Sequence, residues 1–118
     1  MKLVIPGELP SLNEYIRAER SIRYAASELK RTATARVAWE ARAQGLAPVT
    51  GPVQVHYHWF LPNRRKDLDN VRFAAKFIND GLVEAGVLPD DSMRYIQGLS
   101  DAFDVDRENP RIEVELHG

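Results

Sequence analysis

The sequence predicts an α+β domain, with elements in the order β-α-β-α-β-β and the helices packed on a small mixed or antiparallel sheet. Three observations carry this expectation. VQVHYHWFL, residues 53–61, alternates apolar and polar side chains with the period of a half-buried strand. Two longer stretches, near 22–44 and 70–86, repeat apolar residues at spacings of three and four, the period of an amphipathic helix. Short apolar runs bounded by Pro, Gly or polar clusters stand at both ends of the chain, and 118 residues suit a single domain, 1–118.

In order along the chain, Lys2 to Ile5 reads as a strand stopped by Pro6-Gly7, and ELPSLNEYIRAERS, residues 8–21, reads as a loop. The first helix is expected over Ile22 to Gln44, with Ile22, Ala26, Leu29, Ala33, Val37 and Ala41 on one face, Ser21 as its N-cap and Gly45 as its stop. APVTGP is a turn-rich connection to the strand at 53–61, which runs into Pro62 and a charged loop. A second helix is expected from near Asn70, with Val71, Ala74, Ala75, Ile78 and Leu82 on its apolar face and Gly86 as its end. MRYIQGLSDAF and RIEVELH read as the last two strands, separated by the polar DVDRENP.

Composition narrows the function classes. With 44% hydrophobic and 28% charged residues the chain can build a core, unlike a disordered segment. No apolar run approaches the roughly 20 residues of a membrane span. MKLVIPGELP is too short in apolar residues for a signal peptide, so a cytoplasmic location and no membrane partner are expected. The absence of cysteine excludes disulfides, thiolate zinc sites and a cysteine nucleophile, leaving oxygen or imidazole to hold any metal. The formal net charge of −1 hides an asymmetry. Residues 1–76 carry 13 Lys+Arg against 7 Asp+Glu, and residues 77–118 carry 3 against 10. A basic surface facing a polyanion fits that split, as does uneven placement by chance.

The densest charge lies in RRKDLDN, residues 64–70, between a strand and a helix. In an extended chain Asp67 and Asp69 would project together, and two carboxylates side by side call for a counter-charge. Two readings fit. Either Asp69 or Asn70 caps the second helix while Asp67 pairs with Arg65 or Lys66, or the two carboxylates hold a cation. An EF-hand is excluded, because counting from Asp67 puts Arg72 where the loop requires Gly and Ile78 where it requires Glu. A second acidic pair, Asp90-Asp91, follows the helix and reads by itself as a solvated turn. His56 and His58 share a strand face, but no third ligand stands at a zinc-site spacing. Tyr57 and Trp59 read as core.

DLDN, a lysine on the following helix, GLVEAGVLPDD and, far upstream, IPGELPSLNEY together resemble the RusA family of Holliday-junction resolvases, especially its phage-borne members. The resemblance runs from Ile5 to about Ile96. It implies a RusA-like fold and a homodimer that cuts branched DNA at four-way junctions, using magnesium, with manganese as a substitute. By motif position it implies Asp67, Asp69 and Asp91 as metal ligands and catalytic residues. The family's functional lysine stands three residues after the motif asparagine, where this chain has Phe73; Lys76, one turn later, keeps the family's spacing to the downstream Gly and Asp pair. On one straight helix Asp69 and Lys76 would lie within roughly 20° of the same face, and Arg72 is the alternative cation. Hard carboxylate oxygens suit magnesium, and such an ion can polarise a phosphodiester and activate water for in-line attack. Arg64, Arg65 and Lys66 are expected to contact phosphates flanking the scissile bond, with Arg17, Arg20, Arg23 and Lys30 as a second basic patch. Asn13, in the upstream motif, is expected to orient a group near the site. A non-catalytic branched-DNA-binding or assembly module with the same fold is the alternative, favoured by the displaced lysine.

Overall fold

Eight elements follow one another in the computed structural model, which describes residues 1–118: β1 (Lys2–Pro6), α1 (Leu12–Glu19), α2 (Ala25–Ala43), β2 (Val53–Leu61), α3 (Leu68–Arg72), α4 (Ala75–Glu84), β3 (Ile96–Val105) and β4 (Arg111–His117). The strands form one mixed sheet in the order β1-β4-β2-β3. β4 runs antiparallel to both β1 and β2, whereas β2 runs parallel to β3, the two being joined through α3 and α4. Alternation in β2 sorts its side chains as expected: Val53, Val55, Tyr57, Trp59 and Leu61 are buried. They join Leu3 and Ile5 of β1 and Ile112 and Val114 of β4 against Val37, Phe77, Ile78 and Leu82 of the helices. On the other face His56 Nδ1 lies 2.7 Å from Ser100 Oγ and His58 Nε2 2.6 Å from Asp104 Oδ2, while the Phe60 ring stacks on that of His58.

The helices differ from expectation in two ways that matter for the site. Residues expected as a loop contain α1, which opens with a capping box: Glu14 N–H donates to Ser11 Oγ, and Ser11 N–H donates to Glu14 Oε1. Consequently α2 starts only at Ala25, its N-cap position is Tyr24 without a side-chain capping bond, and Ile22 lies outside the helix, 76% exposed. The expected second helix is divided into α3 and α4. At the break, Ala74 N–H donates to Val71 O and Lys76 N–H to Phe73 O, the i to i−3 bonds of a tightened turn. Phe73, at this corner, packs its ring 5.4 Å from Tyr15 and 5.5 Å from Phe77, which anchors the bend.

α4 lies close on α2. A Cβ at Gly81 would come 2.5 Å from the Val37 side chain, so this crossing needs a residue without one. No helix is long and apolar enough to cross a membrane.

Candidate active site

The loop after β2 delivers the acidic motif to the start of α3. Asp67 is the N-cap residue of α3, with extended φ, ψ of −69° and 150°, yet its side chain makes no capping bond. Asp69 lies in the first helical turn. The pair therefore does not project from a continuous extended strand end, because the backbone turns helical between the two carboxylates. Neither Asp69 nor Asn70 is the cap, and Asp67 pairs with neither Arg65 nor Lys66. Both carboxylates are exposed, and neither takes part in a hydrogen bond or ion pair. Asn70 does the joining instead. Its Oδ1 accepts the Asn13 backbone N–H at 2.9 Å, which draws the upstream PSLN segment against the DLDN segment. In this contact Asn13 takes part through its backbone and Asn70 through its side chain.

In the first turn of α4, Lys76 Nζ lies 3.1 Å from Asp80 Oδ1 and 3.4 Å from Asp91 Oδ2. The Asp80 hydrogen bond, with the charges of Asp80 and Asp91, holds the Lys76 ammonium above its ordinary pKa. Asp90 is committed to its own turn, where bonds from Ser92, including the backbone N–H at 2.8 Å, keep its carboxyl below the usual range. Of that acidic pair it is Asp91 that faces the lysine. Because α3 and α4 are separate, the straight-helix argument placing Asp69 and Lys76 on one face does not apply; Lys76 is defined by its partners Asp80 and Asp91. Asp80 was not expected here, although its i, i+4 spacing from Lys76 was readable in the sequence.

The basic residues divide into committed and free groups. Arg72 donates through Nε to Asp101 Oδ2 at 2.8 Å, while Asp101 Oδ1 accepts Trp59 Nε1–H at 2.9 Å. Its guanidinium also lies 5.7 Å from the centre of the Tyr57 ring. That phenol donates to Asn79, and burial pushes its pKa up to about 12. Lys66 Nζ is 3.5 Å from Glu8 and 3.7 Å from Glu14, so it ties the DLDN loop to α1. Arg64 and Arg65 are exposed beside it, and Arg17, Arg20, Arg23 and Lys30 are exposed around the bend between α1 and α2.

The donor chemistry at Asp67 and Asp69, two solvent-facing carboxylates without protein partners, fits a hard divalent cation. Asp91 does not join them to form a cluster: no group of three or more His, Asp or Glu side chains is gathered closely enough to hold an ion. Asp91 is held by Lys76 instead.

No curated protein matches the chain. A family model described as endodeoxyribonuclease RusA matches residues 6–117, which takes in every element from the end of β1 to the end of β4. The upstream PSLN segment, the DLDN loop and the Asp91 turn all fall inside that match, and the chain belongs to the RusA endodeoxyribonuclease family.

Proposed function

We propose that this chain is a divalent-metal-dependent, structure-selective endodeoxyribonuclease that resolves four-way DNA junctions by paired nicks from a homodimer. The observation that carries the reading is the pair Asp67 and Asp69, exposed and unpartnered at the start of α3 within a family match over residues 6–117. A polyanionic substrate does not favour two bare carboxylates at its contact surface unless a cation neutralises them, so their freedom suits metal-assisted chemistry on phosphate. Magnesium, with manganese as a substitute, would supply charge neutralisation and water activation; Asp67 and Asp69 would hold it, with Asp91 as the third donor. Lys76 would then exchange its Asp91 contact for a phosphate oxygen, offsetting charge that builds on the phosphorus in the transition state. Arg64 and Arg65 would position the flanking phosphates without reading sequence. Arg72 is fixed by Asp101, which favours Lys76 as the cation that moves. A homodimer suits the two-fold symmetry of a junction, each copy nicking one strand.

A second reading is favoured by the Lys76–Asp91 contact: a branched-DNA-binding or assembly module in which that pair stays closed and the chain does not cut. Cleavage of a synthetic four-way junction and a matched linear duplex, each with and without Mg²⁺ or Mn²⁺, separates the two. The nuclease reading expects symmetrically placed nicks in the junction only, and only with the divalent ion. Binding of the junction without nicking under either ion selects the module.

A further inference from the structure

The bend between α1 and α2 presents apolar side chains where a folded chain would ordinarily hide them. Ile22 is 76% exposed and Tyr24 is 65% exposed, two residues apart in the short connection. They line a groove of about 860 Å³ together with Leu9, Pro10, Leu29 and Thr32. That volume lies in the range of pockets that hold a small organic group. Its lining also includes Lys66, the residue before Asp67.

The charges around the groove are sorted. Each of its carboxylates has a cation of the chain beside it: Glu8 and Glu14 share Lys66, Glu28 is paired with Arg31, and Arg36 in the same lining donates to the backbone oxygens of Pro6 and Glu8. The cations Arg17, Arg20, Arg23 and Lys30 lie outside the lining itself, on the segments of chain that flank Ile22 and Tyr24, where they are exposed and pair with no carboxylate. Arg23 additionally lies 5.3 Å from the centre of the Tyr24 ring, so cation and aromatic face are presented together. Unpaired cations with an exposed ring and an apolar recess suit a nucleotide whose base is out of the helical stack. Phosphates meet the arginines, the base stacks on the aromatic ring, and the recess excludes water from it. A continuous duplex keeps its bases stacked and can use only the cations. An acidic protein surface could use the cations too, but would leave the apolar recess unfilled.

We propose that this groove receives an unpaired nucleotide of branched DNA, with Tyr24 and Ile22 gripping the base and Arg17, Arg20 and Arg23 its flanking phosphates. The inference rests on the DNA reading above and adds to it the means by which branched DNA is told from linear DNA.

The test is equilibrium binding of the full chain, without divalent ion, to a four-way junction, a matched duplex and a short oligothymidylate. Tyr24→Ala is expected to weaken binding to the junction and the single strand by about 10-fold while duplex binding changes less than about 2-fold. Ile22→Ser, at a residue outside every helix and strand, should lose in the same direction, and Tyr24→Phe should restore the native values. Arg20→Gln should weaken all three and lower the salt dependence. Equal weakening on all three DNAs by Tyr24→Ala, or no change in the junction-to-duplex ratio, overturns the groove assignment and leaves the nuclease reading standing. A native chain that binds none of the three overturns both.

Discussion

Two acidic pairs lie near the same helical segment and are handled in opposite ways. Asp80 and Asp91 share the ammonium of Lys76 at 3.1 and 3.4 Å. Asp67 and Asp69, at the start of α3, share nothing, although Arg65 and Lys66 immediately precede them. Lys66 turns instead to Glu8 and Glu14. Asp80 and Asp91 have one ammonium between them, whereas Asp67 and Asp69 have only solvent, which leaves both carboxylates free to take a cation from outside the chain. On the proposed mechanism Lys76 has two roles: it contacts Asp91 in the free protein and would meet a phosphate once Asp91 is engaged elsewhere.

The strongest challenge to that contrast is Asp67→Asn. Nicking of a four-way junction should fall by about 100-fold or more, the scale for losing a group that acts on transition-state charge. Junction affinity without metal should change less than about 2-fold, as read by gel shift and single-turnover cleavage on the same preparation. Loss of binding as large as the loss of cleavage would make Asp67 a folding or docking residue.

Gly81→Ala affects neither pair and serves as the control for general destabilisation. The added Cβ would meet Val37 at 2.5 Å, so the variant should lose about 1–3 kcal/mol in urea unfolding. Its folded fraction should still respond to Mg²⁺ as the native chain does. Failure to respond would mean that α2–α4 packing and the metal site are coupled.

Lys76→Met sharpens the comparison from the other side. With a half-exposed lysine the stability change should stay below about 1 kcal/mol, while Asp91 is released and affinity for Mn²⁺ should rise as cleavage falls. The stability contribution of Lys76 has a defined pH sense. A raised ammonium pKa confers stability that is fully present below the ordinary value of 10.5 and is lost as pH rises through the raised value. The difference between Lys76→Met and native should therefore persist at neutral pH and fade in strong alkali.

Glu113 gives the smallest expected effect. The Lys2 hydrogen bond foremost, then that of Arg111, holds its carboxyl below the ordinary value of 4.5. Its contribution is present above that value and lost as pH falls through the lowered one, so Glu113→Gln should flatten the acid limb of the stability profile below about pH 4.5. It should leave cleavage untouched.

The sheet was the most legible part of the sequence, because period-2 alternation in 53–61 and 111–117 is decided by which face is buried. The helices were less so. Ile22 fits the apolar period of α2 but belongs to the bend before it, and periodicity alone does not distinguish a core position from an exposed one. α1 carries a readable signal, Ser11 followed three residues later by Glu14, set against Pro10 and a polar run that read as loop. The break at Phe73 and Ala74 had no such signal, since neither Gly nor Pro marks it and the aromatic contacts of Phe73 come from tertiary packing. At the site, the motif residues were visible from the sequence, and their partners were not: Asp80, Asp101 and Glu8 enter through folding.

Magnesium-dependent thermal unfolding of the free protein, without DNA, tests the central claim most directly. The native chain should melt progressively higher as Mg²⁺ is added, as mass action requires of an ion that binds only the folded state. Asp67→Asn and Asp69→Asn, whose carboxylates have no partner within the chain, should melt close to native in chelator and should gain nothing from Mg²⁺. A full native-sized Mg²⁺ response in both variants would contradict the account, because the bare pair at the start of α3 would then not be what the metal completes.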